Sequence, residues 1–227
     1  MKISIITLFP KVFDPILNTS IIKRAQQKGK MTFELINLRD FGQGAHQVVD
    51  DRPYGGGAGM ILRADILAKV LLSIKGSSTG KKTILMSAAG KPYKQITAQA
   101  FSRLDHLIII CGHYEGVDQR FIDKYVDEEI SIGDYVLTGG EIPAMIIADS
   151  VTRLIPGVLK KSEAVENESF TSGLLEYPQY TRPEEFENKK VPKILLTGHH
   201  AEIDKWRKER SIEKTKKIRP DLITQTD

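Results

Sequence analysis

Between Ser131 and Pro143 the chain reads Ser-Ile-Gly-Asp-Tyr-Val-Leu-Thr-Gly-Gly-Glu-Ile-Pro, with three glycines, several hydroxyls and carboxylates, and no lysine or arginine. Gly133, Gly139 and Gly140 admit positive φ or close approach of another group to the main chain, and Pro143 is preset for the first turn of a helix. A loop of this kind can wrap a small ligand with backbone N–H and C=O groups. Ser131, Asp134, Tyr135, Thr138 and Glu141 add side-chain hydrogen bonding. Phosphate pockets draw on Lys, Arg or a helix start, so this stretch suits a neutral or positively charged ligand better. The same residues also read as a tight βα connection whose glycines only solve a steric problem.

A second cluster shifts that balance toward binding. The apolar run Leu107 to Cys111 breaks at Gly112-His113-Tyr114-Glu115-Gly116-Val117-Asp118, again a strand end opening into a glycine-bracketed polar loop. Two such loops after buried strands predict one shared pocket. Ser87-Ala88-Ala89-Gly90, after Thr83 to Met86, is a third small-residue loop in the same position. From Arg39 to Gly59 periodicity disappears, which in a compact domain marks either a working loop or a structureless one. There Asp50, Asp51 and Arg52 precede Tyr54-Gly55-Gly56-Gly57-Ala58-Gly59. A base can stack on Tyr54 while Asp50 accepts from the N–H groups of a guanine edge.

The elements that must position these loops follow the pattern strand, helix, strand. Ile3 to Leu8 reads as a buried strand, Ser20 as the cap of a helix through Ala25 ended by Gly29, and Met31, Phe33 and Leu35 as a second strand. That order predicts an α/β fold with a mainly parallel sheet. Apolar positions at Ile66, Leu67, Val70, Leu71 and Ile74 give a helix, followed by the connector Gly76 to Gly80. Further helices are expected over Gln95 to Leu104, near Arg120 to Tyr125, and from Ala144 to Ile155 with Arg153 near its end. Residues 160 to 173 turn polar. The expected organisation is therefore a domain over 1–159, a linker over 160–173 and a C-terminal domain over 174–227, with helices at Ala201 to Arg210 and Ile212 to Ile218.

The 227 residues give ample length for a core, and 41% hydrophobic with 27% charged residues indicates a globular chain. No apolar run approaches the ~20 residues of a membrane span, and no secretory signal is visible, so no membrane association and a cytoplasmic location are expected. Cys111 is the single cysteine, which excludes an internal disulfide and a thiolate cluster for zinc. The formal charge is +4 with a pI near 9.0. Ala201 to Arg219 alone carries an excess of four positive charges, reading either as a solvated helix face or as an RNA-facing surface.

Several chemistries are excluded by inspection. The Gly-Lys pairs at 29, 80 and 90 are followed by Met31, Lys82 and Pro92, so no Walker A loop is present. The Gly-x-Gly starts lack the third glycine of a dinucleotide fingerprint. No Gly-x-Ser-x-Gly elbow occurs, and His199-His200 has no recognised zinc spacing.

The loops at 112–118 and 131–141, with Asp50-Asp51-Arg52-Pro53-Tyr54-Gly55-Gly56-Gly57 and Tyr180-Thr181-Arg182-Pro183, closely resemble the bacterial tRNA (guanine-N1)-methyltransferase family, TrmD, of the knotted SPOUT class. The likeness covers nearly the whole chain. It implies a trefoil-knotted methyltransferase domain with a small, mostly helical C-terminal tRNA-binding domain. It implies S-adenosylmethionine-dependent methylation of N1 of guanosine 37 in tRNA, by a homodimer with its active site at the subunit interface. Mg²⁺ is left open, with no metal-ligand residue assigned. The resemblance assigns the methyl donor to Met86, Ser87, Gly112, Tyr114, Glu115, Gly116, Ser131, Ile132, Gly133, Asp134, Tyr135, Val136, Leu137, Gly139, Gly140 and Pro143. It assigns the tRNA and target guanine to Asp50, Arg52, Tyr54, Gly55 and Gly59.

Glu168 occupies the place where the family usually carries an aspartate as general base, and Arg153 matches the family arginine near the target base. Three departures stand out: Glu168 for aspartate, Ala88 and Ala89 for a proline and a polar residue, and His113 where many relatives have arginine. Competing readings are a SPOUT methyltransferase for another RNA, a non-catalytic RNA-binding module, and a phosphate-binding nucleotide enzyme. The last is disfavoured by the missing Walker context.

Overall fold

A strand that is apolar at successive positions has to be covered on both faces, which calls for a parallel sheet with helices on each side. The computed structural model describes residues 1–74, 79–159 and 168–223, and the chain divides into two units, Met1–Lys160 and Lys161–Asp227. In chain order the first unit holds β1 (Lys2–Thr7), α1 (Asp14–Leu17), α2 (Ser20–Gln27), β2 (Thr32–Asn37), β3 (Asp50–Asp51), β4 (Ile61–Leu62) and α3 (Ala64–Ser73). It continues with β5 (Lys81–Pro92), α4 (Gln95–Phe101), β6 (His106–Cys111), α5 (Gln119–Tyr125), β7 (Glu128–Ser131) and α6 (Glu141–Thr152). Five strands form one sheet in the order β2-β1-β6-β5-β7, with every pairing parallel.

The two-residue period of the strands sorts the core into two layers. Ile3 and Ile5 of β1, Leu107 and Ile109 of β6 and Ile84 of β5 pack with Ile22 of α2 and Ala144, Ile147 and Val151 of α6. On the opposite face Ile6, Ile108, Ile110 and Leu85 pack with Leu67 and Val70 of α3 and Phe121 of α5. Cys111 is a buried, free thiol at the end of β6. No helix among the described residues is long and apolar enough to cross a membrane.

Several boundaries differ from the pattern reading. β5 does not stop at Met86: Met86 and Lys91 both face Ile130 of β7, so Ser87 to Gly90 is an excursion after which the same strand resumes. The N-cap of α2 is Thr19, without a side-chain cap hydrogen bond, and Ser20 is the first helical residue. α6 ends at Thr152 with Arg153 as its C-cap. Residues 76–78 of the expected connector, residues 160–167 of the expected linker and residues 224–227 of the expected C-terminal domain lie outside the described residues.

In the second unit, Glu187 and Asn188, both at positive φ, turn β8 (Glu185–Phe186) back onto β9 (Lys189–Lys190). The expected pair of basic helices is one continuous helix, α7 (His200–Ile218), because no breaker interrupts Arg210-Ser211-Ile212 and Ser211 is buried. Its basic face is laced to the preceding segment. Lys214 Nζ donates to the Glu176 carbonyl at 3.0 Å, Leu175 N donates to Thr215 Oγ1 at 2.9 Å, and the Arg207 guanidinium lies 5.0 Å from the Tyr177 ring centre.

Candidate active site

Parallel strands put all their carboxyl ends at one edge, where ligands of open α/β sheets bind. β6, β5 and β7 are neighbours, so the loops leaving Cys111, the excursion after Met86 and the loop leaving Ser131 converge. They enclose a crevice of about 480 Å³, within the range of small-molecule sites. Every donor-site residue named from the sequence lines this crevice except Asp134. Its wall also includes His113 and Thr138, which belong to the two glycine loops read from the sequence, and Gln119 and Glu129, which the sequence reading did not place there.

The lining contains no lysine or arginine, while Glu115 and Glu129 contribute carboxylates. Such a surface favours a cation over a phosphate. The loop holds its own shape. Gly133 N donates to Ser131 Oγ at 3.2 Å, that hydroxyl donates to the Gly133 carbonyl at 3.0 Å, and Tyr135 N donates to the same carbonyl at 2.9 Å. His113 bridges Gly139 in antiparallel fashion, and Gly140 N donates to the Gly112 carbonyl at 2.8 Å, so the two glycine loops are laced together. A β-carbon at Gly140 would lie 2.7 Å from Cys111 Cα and 2.8 Å from Gly112 N. Only glycine lets the start of α6 sit this close to the end of β6.

Beneath this lacing, Glu141, the first residue of α6, is 8% exposed. Thr7 Oγ1 donates to Glu141 Oε1 at 2.8 Å and accepts from Phe9 N at 2.9 Å, tying the end of β1 to the loop. Burial, with the Glu141 charge adding to it, pushes the Cys111 thiol well up, so the cysteine is inert core rather than a nucleophile. The sequence offers no signal for this pairing, since the partners are 134 positions apart. His113 packs between the rings of Phe9, at 5.2 Å, and Tyr114, at 4.8 Å.

The loop at 50–59 is anchored beside the crevice. Asp50 and Asp51 pair with Leu62 and Ile61, and Glu115 N donates to the Met60 carbonyl at 3.0 Å. A side chain at Gly59 would run into the Glu115 carboxylate, so this glycine nests against a crevice residue. Tyr54 is 98% exposed, a ring held out to solvent. Arg52 and Tyr54 line a second crevice, of about 690 Å³, together with Arg63, Arg120, Lys124 and Tyr125; Asp50, Gly55 and Gly59 do not line it.

Arg153 caps the C-terminal end of α6, where the helix dipole favours a cation. Glu168 lies in the second unit, its carbonyl accepting from Thr171 N at 3.2 Å. Among the described residues no group of three or more His, Cys, Asp or Glu side chains is placed to hold a metal ion.

Residues 1–225 match the family model described as tRNA (guanine-1)-methyltransferase TrmD. A tRNA (guanine-N(1)-)-methyltransferase of Halalkalibacterium halodurans is 50% identical over 224 residues, covering 98% of this chain and 91% of the relative. Proteins of the same description from Syntrophomonas wolfei and Moorella thermoacetica are 51% and 48% identical, covering 98% and 100% of this chain and 90% and 92% of theirs.

Proposed function

The chain belongs to the tRNA (guanine-1)-methyltransferase family, and from that premise we propose that it transfers the methyl group of S-adenosylmethionine to N1 of guanosine 37, beside the anticodon, in tRNA. The observation that carries the donor assignment is the crevice at the ends of β5, β6 and β7, which has two carboxylates and no cationic side chain. That lining fits a sulfonium. Residues 86–87, 112–116 and 131–140 would hold it, with Pro143 behind them.

Bound there, the donor supplies an electrophilic methyl group. The protein's own task is to bring guanine N1 to it with the proton removed. Glu168 takes that proton, and Arg153 offsets the charge that develops on O6 as N1 loses it. Asp50 accepts from the guanine edge while Arg52 and Tyr54 hold the nucleotide, with Gly55 and Gly59 allowing close approach of the backbone. The extra methylene of Glu168 relative to aspartate shifts the carboxylate by about one C–C bond, so the segment around it sets the distance to N1.

Further parts of the reading extend beyond one chain. The enzyme acts in the cytoplasm as a homodimer in which the donor crevice of one subunit works with residues 160–173 and the C-terminal unit of the other, and the basic α7 faces tRNA. The sheet domain carries the trefoil knot of the SPOUT class. The test of the activity is methyl transfer to a tRNA transcript carrying guanosine at position 37 and to one carrying adenosine there. Transfer to the first alone is expected; product at another nucleotide would remove the site assignment.

A further inference from the structure

α5 separates two crevices of opposite electrostatic character. Gln119 and Ile122 face the cation-free donor crevice, while Arg120, Phe121, Lys124 and Tyr125 line the second. The spacing explains the split, because 120 and 124, and 121 and 125, stack on one side of the helix. The far wall of the second crevice is Arg52 to Tyr54, so cations and aromatic rings meet across it.

The cations there differ in how they are engaged. Arg120 donates through Nε at 3.0 Å and Nη2 at 2.7 Å to the Asp118 carboxylate, which also caps α5 by accepting from Arg120 N. That clamp fixes the guanidinium plane and leaves Nη1 unengaged among the described residues. Arg63 is clamped likewise by Asp65. Arg52 and Lys124 form no ion pair among the described residues, and Lys124 lies 5.2 Å from the Tyr125 ring centre. Four cations against Asp51, Asp65 and Asp118 leave the lining net positive. An oriented guanidinium, an ammonium in no ion pair and the exposed ring of Tyr54 suit a phosphodiester flanked by bases.

We propose that this second crevice is a subsite for the sugar-phosphate backbone of the tRNA substrate outside the target guanosine, with Arg120 and Lys124 as its phosphate contacts. The inference rests on the tRNA reading above and adds α5 to the RNA-contacting surface. It is continuous with the loop at 50–59, so a strand whose guanine enters beside Asp50 has its neighbouring phosphates led over Arg52 toward α5. α5 then serves both substrates, one on each side.

The test uses the full chain and tRNA, with Lys124→Glu, Arg120→Gln and the conservative Lys124→Arg. Binding of tRNA is measured across salt concentrations, binding of S-adenosylmethionine by calorimetry, and folding by thermal unfolding. The first two variants are expected to bind tRNA roughly threefold to tenfold more weakly at low salt, with the log–log salt slope reduced by about 0.7 per lost contact. Donor affinity stays at the wild-type level, and Lys124→Arg behaves as wild type. Unchanged tRNA affinity and slope in Lys124→Glu and Arg120→Gln, with wild-type tRNA binding and methylation intact, overturn the subsite and leave the activity standing. Wild-type protein that neither binds nor methylates tRNA overturns both.

Discussion

Thr7 and Glu141, at opposite ends of the sheet domain in sequence, share a hydrogen bond of 2.8 Å that joins the last residue of β1 to the first of α6. Both are buried, and the carboxylate sits directly under Gly139 of the loop between β7 and α6. Glu141→Ala leaves the Thr7 hydroxyl without its acceptor, at an expected cost of about 1–3 kcal/mol. Donor affinity is expected to fall with it, because the loop loses its anchor. Urea unfolding and calorimetry of Glu141→Ala, Thr7→Val and the double variant check this, with a coupling of about 0.5–3 kcal/mol expected for residues in contact. Additive effects would show that the bond does not link the two elements.

Gly140→Ala places a methyl group against the backbone at Cys111 and Gly112, at separations no β-carbon tolerates. The start of α6 must move away. Overpacking of this kind costs about 1–3 kcal/mol, and the movement widens the crevice. Thermal unfolding is expected to show the loss of stability, and calorimetry a loss of donor binding beyond that of Glu141→Ala.

At the other edge of the sheet, Ser4 donates to Glu34 at 2.7 Å, so its remaining contact with His106, at 2.8 Å, has Nε2–H as donor. Burial holds the His106 pKa below its ordinary 6.5, with the charges of Lys2 and Lys81 acting in the same direction and that of Glu34 against them. As pH falls below about 6.5 the unfolded chain takes up a proton that the folded chain refuses. Stability is therefore present above that value and lost as pH descends toward the folded pKa. Denaturant unfolding between pH 7.5 and 5 is expected to show a shallower decline in His106→Gln than in the wild type.

Glu168→Gln removes the proposed base while keeping the size and polarity of the side chain. Donor binding is expected to persist, with turnover reduced by about 10²- to 10⁴-fold. Single-turnover methylation under saturating tRNA measures this, and undiminished turnover would remove Glu168 from the mechanism.

The strands and their loops were legible because β6 is apolar at almost every position and its end, like that of β7, opens onto glycines that local sequence alone can flag. The excursion in β5 was not. Ser-Ala-Ala-Gly reads as a strand end, and only pairing with Ile130 on a neighbouring strand shows that the strand resumes. The sheet order and the Thr7 to Glu141 bond depend on contacts distant in sequence, which no periodicity encodes. The junction at Ser211 was misread because polar residues interrupt the apolar pattern, although helix continuity needs only the absence of a breaker. Glycines marked the two loops in the sequence, whereas Arg120 and Lys124 look like an ordinary solvated face until the structure sets them in one crevice with Arg52 and Tyr54.

The most direct measurement is a crystal structure of the full chain with S-adenosylmethionine. The ligand is expected in the crevice at the ends of β5, β6 and β7, held by main-chain groups of residues 112–116 and 131–140 with its sulfonium toward the cation-free wall. Donor bound elsewhere, with those two loops empty, would contradict the account.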